Sequence, residues 1–413
     1  MSRVSYQEIR KRMNEKRSKI TDKKFFTSRL LSSYFEDLAM AQTRRYQYSR
    51  RIKVKIYWDE NDGHSASTNN RVILINAGHP IVTKISGRAN RYQIVCGLFA
   101  HELGHILYTD FPMRQTYLNS LKDKRWYPNA PVFFNPIEEQ NEKALWEYVS
   151  ESEENLLAVQ MVTGELNNIL EDAYIENRML NRYHGTLGFG LERMRDAQFA
   201  EMPTVTQLIE HEAAGRLHLL KSIMQSILSY VKFGEIKYGD TPLTDERIQA
   251  VFGLLTILDN SVFAKNGRAR WAAVNQILIR LWEYVKDFCE QSKNEQKQNA
   301  SNGAGKSLEE TITSALKSLV GGSQVGESIS GPLVIFEDGN EEENASTQMC
   351  RENTKQLAGQ ASDEESEQES GKNSNEGRIP YHETEEISTE GEGIFERNEE
   401  YRQTCVVNTE TGI

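Results

Sequence analysis

The residues best placed to do chemistry are His101-Glu102-Leu103-Gly104-His105, inside the run from Arg91 to Tyr108. Two histidines four apart on a helix project from the same face. Both imidazoles can then reach one metal ion, and zinc is the ion that suits them. The glutamate beside the first histidine can hold the water that the metal activates. This reading assigns His101 and His105 as ligands and Glu102 as general base.

The elements around the motif agree with that chemistry. Apolar residues at 94, 95, 98, 99, 103, 106 and 107 follow a helical spacing that buries one side, and no proline interrupts before Pro112. Gly104 costs about 1 kcal/mol relative to alanine inside a helix. A glycine there makes sense where another chain segment packs closely. Upstream, residues 52–58 alternate apolar and charged as a half-buried strand does. Residues 59–70 read as a loop, and residues 71–76 as a second strand at the edge of a small sheet. An edge strand beside the metal could pair with an extended substrate backbone.

Catalytic zinc normally takes three protein ligands and one water. The extended pattern HExxHxxGxxH would need glycine at 108 and histidine at 111, where this chain has Tyr108 and Phe111. The next suitable segment is 166–178, read as one helix, with Asn168, Glu171, Asp172 and Ile175 sharing a face. Glu171 is expected as the third ligand, with Asp172 the alternative. Glu176 is a candidate to orient a zinc-bound imidazole from behind.

Together, His101–His105, Tyr108-Thr109-Asp110-Phe111 and Asn168–Glu176 resemble a family of HExxH zinc metallopeptidases. The resemblance is to the region preceding a von Willebrand factor A domain in cobaltochelatase-T-like proteins. More broadly it is similar to gluzincins, which use two histidines and one acidic ligand. It covers roughly residues 50–185. It implies zinc at His101 and His105, an acidic ligand from the Glu171–Asp172 pair, and Glu102 as base. Strands followed by a histidine-bearing helix are the usual layout of such peptidases. In that family an acidic linker often leads into a domain with a DxSxS metal-adhesion motif. No such motif occurs here, as in a natural short form or a truncated chain.

Other candidates carry blander readings. His211-Glu212-Ala213-Ala214-Gly215 starts like the motif but has glycine where the second histidine would stand. Tyr183-His184 could stabilise an oxyanion, although a plain loop pair is the simpler reading. His64 and His79 flank the second strand without a role. Glu151, Glu153 and Glu154 read as a solvated face.

The net charge of −11 is unevenly spread. Residues 291–413 hold 10 Lys and Arg against 25 Asp and Glu, a net −15, so the rest of the chain is +4. Runs such as Asp363-Glu364-Glu365-Ser366-Glu367 read as a disordered, solvated tail that could recruit a protein partner. Within it, 308–319 could form a short helix and 332–336 a short strand. The N-terminal 55 residues are basic, with interleaved tyrosines. That pattern could touch nucleic acid through phosphates, but an exposed helix pair is the simpler reading.

Four scattered cysteines, at 96, 289, 350 and 405, suggest a reducing compartment. No apolar run suggests a secretory signal or a membrane span. The expectation is a cytoplasmic protein.

The expected fold class is α+β, mainly helical. A basic helical segment (1–50) precedes a zincin-like metallopeptidase domain (51–200), in which a small N-terminal sheet packs on the zinc-binding helix. A helical subdomain (201–290) and an acidic, mostly disordered tail (291–413) follow. The expected activity is hydrolysis of peptide bonds in a protein or peptide substrate, with Zn2+ as cofactor and no membrane. The alternative is a non-catalytic, zinc-stabilised scaffold or assembly protein, partnering an ATPase or nucleic acid.

Overall fold

Residues 5–43, 52–69, 71–264, 266–301 and 307–317 are described by the structure, a computed structural model. One unit comprises 1–264 with 268–335, and a second comprises 265–267 with 336–413. The expected strand at 332–336, most of the expected disordered tail, Cys350 and Cys405 lie outside the described residues.

The first unit is mainly helical around one small sheet. Its N-terminal part holds α1 (Tyr6–Ser18), α2 (Asp22–Phe26) and α3 (Arg29–Thr43). Three strands follow, β1 (Lys53–Tyr57), β2 (Ala66–Thr68) and β3 (Val72–Asn76), then α4 (Pro80–Thr83), α5 (Arg88–Tyr108) and α6 (Phe111–Lys122). The central helices are α7 (Pro136–Glu151), α8 (Glu153–Arg182) and α9 (Thr186–Glu201). The remainder runs α10 (Val205–Ala213), α11 (Leu219–Phe233), α12 (Glu246–Phe252), α13 (Leu255–Val262), α14 (Gly267–Arg280), α15 (Trp282–Ser301) and α16 (Leu308–Lys317).

The sheet differs from expectation in one respect. Residues 72–76 form the central strand, not an edge. The order is β1-β3-β2, with β1 parallel and β2 antiparallel to β3. The additional edge strand, β2, comes from the segment read as loop. All five residues of β3 are buried, as a strand paired on both sides and covered on both faces should be. In β1 only Val54 and Ile56 turn fully inward, so the alternation seen in the sequence is a real half-buried edge. Asn76, fully buried, ties the loop before β2 to the end of β3. Its Oδ1 accepts from Asp59 N at 3.0 Å and Gly78 N at 2.9 Å, and its Nδ2 donates to the Asp59 carbonyl at 2.7 Å.

Helix α5 is buried continuously from Ile94 to Gly104. The sheet and α3 contribute to one core with it, where Phe35 meets Phe99 at 4.6 Å between ring centroids. Helix α9 crosses it at two glycines. A Cβ on Gly97 would run into the Gly190 carbonyl, and one on Gly190 would lie 2.7 Å from Cys96 Cβ. Only glycine at both positions lets the backbones touch.

Helix α8 has 30 residues, about 45 Å of axis. It is capped by Ser152, whose Oγ accepts from Asn155 N at 3.1 Å. Helix α11 packs along it in parallel, because Lys221 meets Glu165 and Lys232 meets Glu176, each partner advancing by 11 residues. Residues 51–264 and 268–290 therefore fall in one packed unit. Within the expected helical subdomain, α10 and α11 are separated by Gly215, where φ is +66°. His218 then caps α11 by accepting from Leu220 N. Residues 291–301, assigned to the polar tail, continue α15. Helix α16 forms where 308–319 was expected and buries Leu308, Ile312 and Leu316. Among the described residues no helix is long and apolar enough to cross a membrane.

Candidate metal centre

The spacing of His101 and His105 does what α-helical geometry requires. Their rings lie on one face of α5, and the two Nε2 atoms are 3.2 Å apart. Opposite them stands Asp172 of α8. Its Oδ1 is 3.4 Å from His105 Nε2 and 3.8 Å from His101 Nε2. The donor atoms of these three residues all lie within 4.8 Å of one another.

Helix α8 can come this close because of Gly104. A Cβ there would meet Met179 Cγ at 3.1 Å and Ile175 Cβ at 3.4 Å. The close packing anticipated at Gly104 is thus supplied by side chains of α8, one and two turns beyond Asp172.

The Glu171–Asp172 pair is split by the rotation of α8. Asp172, the alternative ligand, faces the imidazoles and is almost fully buried. Glu171, the preferred one, accepts from Arg270 Nη2 at 2.5 Å instead. Arg270, from α14, is itself buried and stacks over the Tyr174 ring at 4.3 Å. The preference for Glu171 therefore gives way to Asp172 as the carboxylate at the histidines. The cause is tertiary: a buried guanidinium claims Glu171.

Each histidine is held from behind through Nδ1. His101 Nδ1 is 2.9 Å from Glu176 Oε1, and His105 Nδ1 is 3.0 Å from Thr109 Oγ1. Burial disfavours the ionised form of Glu176. The Lys232 ammonium, the bond from His101 and the Arg195 guanidinium overcome this, and its carboxyl stays far below the usual carboxylate range. An ionised carboxylate can only accept, so His101 carries its proton on Nδ1. A neutral His101 then has its Nε2 lone pair directed at His105 and Asp172.

The donor set fits a zinc ion. Metal–ligand bonds of about 2.0–2.2 Å in tetrahedral geometry separate donor atoms by about 3.3–3.6 Å, close to the spacings observed. Asp172 Oδ2 is also buried with no hydrogen-bond partner, an arrangement that costs free energy unless a cation compensates it.

Glu102 lies beside these ligands and is only 4% exposed. Burial pushes its carboxyl upward. Positive charge at His101 and His105 pulls it back, and Asp172 adds to the rise. For His105, burial opposes the imidazolium, yet the hydrogen bond and charge of Asp172 hold the ring up to about 9. The His105 side chain is 19% exposed against 6% for His101, so the centre opens to solvent on the His105 side.

The remaining candidates fall elsewhere. Glu212 of the incomplete motif at His211 pairs with Arg247. His64 bonds Asp62 at 2.9 Å. His79 is fully buried and caps α4, accepting from Ile81 N at 3.2 Å. His184 is exposed after α8, while Glu151, Glu153 and Glu154 form an exposed surface. The sequence reading missed Lys232 and Arg195 behind the centre, and Arg270 beside it. One signal was there to find: Lys221 and Lys232 interrupt the apolar stripe of Leu220, Met224, Ile227, Leu228 and Val231.

Compared with known proteins, the chain matches no family model, no curated protein and no solved structure.

Proposed function

We propose that His101, His105 and Asp172 bind a zinc ion and that the protein hydrolyses peptide bonds in a protein or peptide substrate. One observation carries this reading: two imidazoles and a buried carboxylate converge beside a buried glutamate. The resemblance of the motif to HExxH zinc metallopeptidases supports it.

Zinc held there supplies the Lewis acidity that polarises a carbonyl and acidifies water at neutral pH. Glu102 takes a proton from the attacking water and passes it to the leaving amine. Its burial raises its proton affinity and suits it to both transfers. Glu176 keeps His101 in one tautomer and orientation. Thr109 steadies His105. Substrate reaches the centre from the His105 side.

The test is elemental analysis of the purified protein and of His101→Ala and Asp172→Ala variants, followed by peptide digestion with wild type and Glu102→Gln. One zinc per chain, lost in both variants, with hydrolysis lost in Glu102→Gln, is the expected result. Zinc binding with no hydrolysis that depends on Glu102 would favour a zinc-stabilised scaffold.

A further inference from the structure

The carboxylate behind His101 is clamped by two cations from helices that carry no metal ligand. Lys232 Nζ of α11 is 2.8 Å from Glu176 Oε1, and Arg195 Nη1 of α9 is 3.0 Å from Glu176 Oε2. Glu176 and Lys232 are fully buried. Arg195 also donates through Nη2 to the Lys232 carbonyl near the end of α11, which ties the two cations together.

Stability explains such a cluster poorly. Desolvating a lysine and a carboxylate costs about as much as their attraction returns, and apolar residues of similar size often serve a fold as well. The same helix pair contains a comparison. Lys221 and Glu165, 11 residues earlier on each helix, are also buried but stand 3.9 Å apart, and no hydrogen bond links Glu165 to a histidine. The tight pair, reinforced by an arginine, occurs at the one carboxylate bonded to His101.

We infer that Lys232 and Arg195 are positioning residues of the metal centre, acting through Glu176 to keep the His101 lone pair aimed at the ion. This rests on the metal-centre reading proposed above. With both cations in place, the Glu176 carboxylate is held at both oxygens and its Oε1 is kept against His101 Nδ1. Without Lys232, that carboxylate loses one of its two anchors. Its grip on the imidazole loosens, and metal affinity falls. Losing partners that orient a ligand typically costs 10–100-fold in affinity.

The test measures Zn2+ and Co2+ affinity of the full chain by competition with a chromophoric chelator. Circular dichroism checks that each variant folds. Lys232→Met should bind about 10–100-fold more weakly than wild type and alter the visible spectrum of bound Co2+. Lys221→Met, the matched buried lysine, should stay within about threefold. In a Glu176→Gln background, Lys232→Met should cause little further loss, because the carboxylate that Lys232 anchors is already gone. Equal affinities for Lys232→Met and Lys221→Met, or full additivity with Glu176→Gln, would overturn the positioning role while leaving the metal centre intact. If wild type binds neither ion more tightly than His101→Ala, the metal centre itself fails and the inference with it.

Discussion

Asp172 Oδ1 stands 3.4 Å from His105 Nε2, while the adjacent carboxylate of Glu171 points to Arg270. One peptide bond separates a carboxylate facing the histidines from one engaged in a buried ion pair. Replacing each in turn should therefore have opposite consequences.

Asp172→Asn should lose zinc. Glu171→Gln should retain about one zinc per chain but lose stability, by about 3–5 kcal/mol, because it strands Arg270 as a buried cation. Elemental analysis and urea unfolding measure the two effects. Zinc retained by Asp172→Asn and lost by Glu171→Gln would restore the ligand first expected.

Glu102→Gln should leave zinc content unchanged and reduce hydrolysis about 10²–10⁴-fold, the usual contribution of a general acid–base group. Rates on a peptide mixture, followed by mass spectrometry, decide the matter. Unchanged hydrolysis would remove Glu102 from the mechanism.

Acid should destabilise the fold through His79. Burial lowers its pKa from 6.5 to about 4, outweighing the Gly63 backbone carbonyl and the Asp62 charge that favour the imidazolium. In the folded state Nδ1 accepts from Ile81 N and cannot take a proton without breaking the α4 cap. The unfolded chain takes that proton once the pH drops below about 6.5. The contribution is complete above 6.5 and is lost progressively as pH falls toward 4. By pH 5 the loss amounts to about 2 kcal/mol. His79→Asn keeps a capping acceptor without the titration, so its stability should fall less between pH 7 and 5. Parallel pH profiles for the two proteins would refute this.

Gly97→Ala should destabilise by about 1–3 kcal/mol or more despite the better helix propensity of alanine. The new methyl meets the Gly190 carbonyl and lies 2.6 Å from Met194 Cβ. A backbone carbonyl cannot rotate away as a flexible side chain can. Urea midpoints should reveal the loss, and an unchanged midpoint would show that α9 can shift.

Much of the centre was legible where its geometry is local. Four residues of helix set His101 and His105 on one face wherever the helix lies. The apolar spacing announced a helix with one buried side, whereas the fold buries every residue from Ile94 to Gly104. The strand at 53–57 announced itself by alternation. By contrast, the central place of β3 was not legible from its own residues. An apolar run of four is compatible with any well-covered strand, and its second neighbour, β2, is three residues long inside a polar segment.

By itself, then, the sequence determined the two imidazoles, the glutamate beside them and the acidic helix that had to meet them. Helical periodicity and side-chain chemistry act within a few residues. Only the tertiary structure decided that Asp172 and not Glu171 faces the histidines. That outcome depends on the rotation of α8, set by its seat against Gly104 and by Arg270 from a helix nearly a hundred residues away. It also decided that Lys232 and Arg195 stand behind Glu176. Their spacing from it has no local rule, because burial and charge compensation are settled only when distant helices pack together.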